Sequence, residues 1–94
     1  MEREKKNETK IYDFTSLEVE EKFDQFVKKN LSKPIGNAIH RGTDDIGIDE
    51  LARKIYRDGK VKMNEEDAKL IFAILMASDL LAYVKVSIKK LFTI

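Results

Sequence analysis

Residues 64–91 read NEEDAKLIFAILMASDLLAYVKVSIKKL, and the reading of this stretch decides the fold. Leu70, Ile74, Ala77, Leu81, Val84, Ile88 and Leu91 recur at alternating steps of four and three residues. Apolar residues so spaced line one side of a helix as a heptad seam. Asn64 suits a helix N-cap, and Glu65, Glu66 and Asp67 set negative charge against the positive end of the dipole. One long helix over 64–91 is the expectation. A strand over 83–91, with Val84, Val86 and Ile88 alternating with Lys85, Ser87 and Lys89, is the competing reading. The unbroken seam favours the helix.

Between Leu70 and Tyr83 this helix is apolar nearly all round. Ile71, Leu75 and Ala82 form a second stripe, and Phe72, Met76 and Tyr83 a third. A helix apolar on every side is either wrapped by its own chain or covered by a partner. The expected companions are short helices with narrow apolar stripes, which leaves the third face for a partner. The alternative is that those helices wrap it more fully.

Working outward, Lys60 to Met63 (KVKM) alternates and reads as a short extended piece, with Gly59 ending the helix before it. That helix covers 48–58 and turns Leu51, Ala52, Ile55 and Tyr56 inward. Thr43 to Gly47 reads as a loop. Pro34 suits the first turn of a helix over 34–41, which Gly42 is expected to end in a left-handed conformation. A first helix over 16–31 follows from Val19, Phe23, Phe26, Val27 and Leu31 at helical spacing, with Thr15 or Ser16 and Glu18 as a capping box. Tyr12 and Phe14 are the first residues able to anchor to a core.

The expected architecture is all-α: a compact four-helix domain over residues 12–94, with a long C-terminal heptad-patterned helix, preceded by a charged flexible tail over residues 1–11. The tail expectation comes from MEREKKNETK, charged at seven of ten positions. Ninety-four residues are enough for one domain. Hydrophobic residues at 43% permit a core, and charged residues at 37% ask for long solvated faces. The net charge of +1 sets up no global field toward nucleic acid or membrane.

Several chemistries drop out. The absence of cysteine removes disulfides, thiolate catalysis and cysteine-ligated zinc. The longest uncharged run, Leu70 to Ser78, is far short of the roughly 20 residues that span a bilayer. Gly36, Gly42, Gly47 and Gly59 are isolated and form no phosphate loop. His40, the single histidine, would need Asp44 or Asp45 as a catalytic partner, and Gly42 interrupts that spacing. The acids Asp44, Asp45, Asp49 and Glu50 are better read as a loop and a helix first turn than as a cation site. Residues 54–65 overlay a calcium loop only in part, because Lys54 and Tyr56 fall where carboxylates or amides are required. No metal, cofactor or small-molecule substrate is expected, and no membrane span.

The functional expectation is a non-enzymatic protein-interaction module, a small regulator, adaptor or inhibitor in the cytoplasm. It acts through the apolar helix face of Phe72, Met76, Leu80 and Tyr83, as a homodimer or higher homo-oligomer or with a protein partner. The alternative is a dimeric helix-turn-helix-like nucleic-acid binder. It uses Arg53, Lys54, Arg57, Lys60 and Lys62, five bases in ten residues. Against it stand the carboxylates of Glu65, Glu66 and Asp67, which would face the phosphates, and a connection longer than the usual turn.

Overall fold

In the computed structural model, which describes residues 9–92, alternation rather than helical spacing governs the first third of the chain. Strands β1 (Thr9–Asp13), β2 (Leu17–Lys22) and β3 (Gln25–Lys29) come first. Helices α1 (Ser32–Gly42) and α2 (Ile46–Asp58) follow, then β4 (Lys60–Asn64), α3 (Glu65–Met76) and α4 (Ala82–Phe92). β1 pairs antiparallel with β4, and β2 with β3, giving two separate two-stranded sheets. The all-α, helical-bundle expectation is therefore corrected: the chain is mixed α/β. Of the expected tail, residues 1–8 lie outside the described residues, and Thr9 to Ile11 belong to β1.

The helix expected over 16–31 is replaced by the β2–β3 hairpin. Leu17 and Val19 alternate with Glu18 and Glu20, and both are buried on the side that α4 covers. Val19 stands opposite Val27 and Leu17 opposite Lys29. Phe23 and Asp24 make the turn, with Asp24 in the left-handed region at φ 64°, which aspartate tolerates better than most residues. The Glu20 carboxylate accepts the Asp24 N–H at 2.8 Å. No helix begins at Thr15: its N–H and hydroxyl both donate to Asp13 Oδ1, at 2.9 and 2.5 Å, closing a bend between β1 and β2.

The long helix expected over 64–91 is also corrected, because it breaks at residues 77–81. Ser78 Oγ donates to the Leu75 carbonyl at 2.6 Å and accepts the Leu80 N–H at 3.3 Å. Serine competing in this way for backbone partners ends helices readily. The break lets two shorter helices bury faces in different places, α3 against α1 and β4, α4 against β2. The seam does not survive as one line: Val84 and Ile88 are buried, while Leu70 and Leu81 are exposed. Residues 83–91 are nevertheless helical, not a strand.

The two middle helices and β4 form where local signals place them. Asp45 caps α2 by accepting the Ile48 N–H at 3.1 Å, and Asn64 caps α3 by accepting the Asp67 N–H at 2.8 Å. Gly59 ends α2 at φ 80° and donates to the Ile55 carbonyl. The only positive φ values among the described residues are at Asp24 and Gly59, so Gly42 stays helical and the expected left-handed end of α1 does not form. The core gathers Phe14, Ile35, Ile39, Ile55, Ile71, Leu75 and Ile88. Phe14 locks the elements together: its N–H reaches the Gly59 carbonyl at 2.7 Å, and its carbonyl takes the Leu31 N–H at 2.9 Å. Phe92, at the end of α4, stacks on Tyr12 with ring centroids 5.0 Å apart. Among the described residues no helix is long and apolar enough to cross a membrane.

Candidate functional site

The face expected to dock a partner does not form as a single stripe. Phe72 and Met76 lie on α3, Leu80 falls in the connection, and Tyr83 opens α4. All four are half-buried and pack against the core. Phe72 meets Phe92 at 5.6 Å between ring centroids, so its ring already has an aromatic neighbour. Along this part of the chain the large apolar side chains left in water are Leu70 on α3, Leu81 in the connection and Val86 on α4.

A more exposed apolar surface lies on the hairpin. Phe23 at its tip is 93% exposed, Phe26 is 49% and Val27 is 40%. Helical spacing assigns these residues to the inward stripe of a 16–31 helix; in the hairpin they are exposed, with Val27 on the face of its partner Val19 and Phe26 on the opposite face. Among the described residues β3 pairs only with β2, so its other edge has no strand partner. Lys29 is tied to Glu21 by an ion pair, and this hydrogen bond and charge raise the lysine pKa above its ordinary value. The Lys90 ammonium sits 5.6 Å from the Phe26 ring centroid. The signal for this surface was the strict alternation from Leu17 to Glu20.

The basic segment divides between two elements. Arg53, Lys54 and Arg57 are on α2, while Lys60 and Lys62 project from β4, where they stand opposite Asp13 and Ile11 of β1. A helix-turn-helix needs a turn between its helices; here a strand paired to β1 occupies that connection.

Arg53 and Arg57 instead border a groove between α1 and α2, of about 290 Å³, lined also by Gly36, Asn37, His40, Asp49 and Tyr56. The helix period explains the grouping. Positions 33, 37 and 40 share one face of α1, and positions 49, 53, 56 and 57 one face of α2. Gly36 permits the helices to approach: a Cβ there would stand 2.9 Å from Tyr56 Cβ and 3.0 Å from the Ala52 carbonyl oxygen. His40 Nδ1 donates to Asp49 Oδ1 at 2.5 Å, so the histidine's partner is Asp49 rather than Asp44 or Asp45. Lys33 holds its ammonium 5.1 Å from the Tyr56 ring centroid. Lys33 is not singled out by the sequence, and Tyr56, expected to turn inward with Leu51, Ala52 and Ile55, is instead 40% exposed. Among the described residues no group of three or more histidine, aspartate or glutamate side chains is arranged to hold a metal ion.

Comparison with family models, curated proteins and solved structures finds no match for this chain. The function is therefore argued from these surfaces.

Proposed function

We propose that this chain is a non-enzymatic protein-interaction module, working in the cytoplasm, that self-associates through the outer edge and apolar tip of the β2–β3 hairpin. The observation that carries the reading is Phe23, almost fully in water at the tip of a hairpin whose next strand exposes Phe26 and Val27. Apolar residues grouped on an unpaired edge fit a strand-addition contact. Two copies of β3 paired antiparallel about Val27 set Lys28 opposite Phe26 and Lys29 opposite Gln25. No like charges then face each other, and each lysine meets an aromatic or amide neighbour.

Complete burial of a large apolar side chain contributes about 1.5–3 kcal/mol. Phe23, with half of Phe26 and Val27, supplies about 4–5 kcal/mol per copy on that scale. Two copies together supply about 8–10 kcal/mol. Against the lower end of an association cost of about 4–15 kcal/mol, about 4–6 kcal/mol remains, a dimer of roughly tens of micromolar to millimolar affinity. Sedimentation equilibrium checks it. The parent chain should be partly dimeric at about 500 µM, and Phe23→Ser should be monomeric there with an unchanged melting temperature in dilute solution, because Phe23 packs against little in one copy. A parent chain that stays monomeric up to about 500 µM overturns the proposal.

A further inference from the structure

The groove between α1 and α2 offers charge where the hairpin offers apolar surface. Arg53 and Arg57 are exposed and make no ion pair or side-chain hydrogen bond among the described residues. They stand one helical turn apart on the wall that also carries Tyr56. Lys33 approaches the same ring from α1. The one acid lining the groove, Asp49, is engaged by His40.

We infer that this groove binds a nucleotide unit, with the phosphate held by Arg53 and Arg57 and the base laid against the Tyr56 ring. Guanidinium groups match phosphate geometry, giving paired, charge-assisted hydrogen bonds that a hydrated ammonium does not. An aromatic ring lining a basic groove is the arrangement by which proteins stack bases without reading their sequence. Lys33 is exposed, and its ammonium, which lies over the Tyr56 ring, can swing aside to a phosphate oxygen and leave that face to the base. The volume of about 290 Å³ suits one ring with its phosphate and is at the lower limit of ordinary ligand pockets.

A phosphorylated peptide shares the anion but fits less well. Both walls are helices whose backbone groups are spent internally, so an extended peptide finds no strand edge to pair with. A nucleotide requires none. The unit can come from two sources, a free nucleoside monophosphate or a single-stranded nucleic acid.

Fluorescence anisotropy with a labelled deoxythymidine oligonucleotide about 12 residues long, with adenosine monophosphate and a phosphoserine peptide as competitors, separates these cases. The expected result is saturable oligonucleotide binding, weakened about tenfold or more by Arg53→Ala with Arg57→Ala. Tyr56→Phe should keep the affinity and Tyr56→Leu lose about tenfold, since stacking needs the ring and not the hydroxyl. If adenosine monophosphate competes at about 1 mM or below, the site takes single units; if only the oligonucleotide binds, and steeply less in salt, the source is a single strand. Direct titration of the monophosphate by calorimetry supports the free-nucleotide source even where the oligonucleotide fails. The inference is overturned if neither nucleotide ligand binds, if only the phosphoserine peptide binds, or if the double arginine variant binds as the parent does. Circular dichroism of each variant verifies that it folds. The arginine variants leave the hairpin untouched, so their result is independent of the oligomeric state.

Discussion

Gly36→Ala tests the packing on which the groove depends. Gly36 is buried in α1 where that helix meets α2. An added Cβ would lie 2.9 Å from Tyr56 Cβ, 3.0 Å from the Ala52 carbonyl oxygen and 3.1 Å from the Tyr56 backbone nitrogen. Two of these atoms are backbone and the third is bonded directly to it, so no flexible side-chain end can move aside. Overpacking a tight core costs about 1–3 kcal/mol. Rigid neighbours place this site in the upper part of that range. Opposing it, alanine is better than glycine inside a helix by about 1 kcal/mol. The net expectation is a loss of about 1–2 kcal/mol, or a melting temperature lower by about 5–15 °C for a domain of this size. Urea and thermal denaturation followed by circular dichroism measure it. Asn37→Ala, at the exposed neighbouring position, receives a favourable propensity change of at most about 0.5 kcal/mol without the clash and should be neutral or slightly stabilising. If Gly36→Ala proves as stable as the parent chain, α1 and α2 do not approach as described, and the groove's shape is wrong with them.

Two further perturbations probe the joints of the fold. Gly59→Ala should be among the most damaging single changes: it forces a side chain to φ 80° and sets Cβ 2.1 Å from Thr15 Cγ2. A loss of about 2–4 kcal/mol is expected in denaturant unfolding, and Thr15→Ser should recover part of it by removing the clashing methyl. Asp13 gives a pH signature. The Thr15 side-chain hydrogen bond, then the Thr15 N–H, hold its carboxyl below the ordinary 3.8. A group depressed in the folded state stabilises fully above its unfolded value and loses that contribution as pH falls through the folded one. The stability gap between the parent chain and Asp13→Ala should thus be largest above about pH 5 and narrow below 3.8. A gap that widens on acidification would contradict the hydrogen bonding.

The parts of the fold that were legible share a short range. Pro34, Gly59 and Asn64 mark helix ends through φ preference or a hydrogen bond to a residue a turn away, and α1, α2, β4 and the start of α3 stand close to where those signals place them. The site was legible in fragments. Arg53 and Arg57 were picked out, but grouped with Lys60 and Lys62, which the structure sends to another element. Nearness in sequence offers His40 only Asp44 and Asp45; packing of α1 on α2 brings it Asp49 instead. Phe23, Phe26 and Val27 satisfied helical spacing by coincidence. The chain places them on a turn and an edge strand, where that spacing has no meaning.

What the sequence by itself determined, then, is the set of local stops and starts and the chemistry it excludes: no cysteine, no phosphate loop, and a cap at Asn64. Tertiary structure decided between hairpin and helix for residues 17–29, and between one helix and two across 77–81. The reason is burial. Leu17 and Val19 gain from a strand only if something covers them, and the cover, α4, comes from the far end of the chain and reaches them only because the chain breaks at Ser78. Each choice depends on the other, and neither can be read from a window of neighbouring residues.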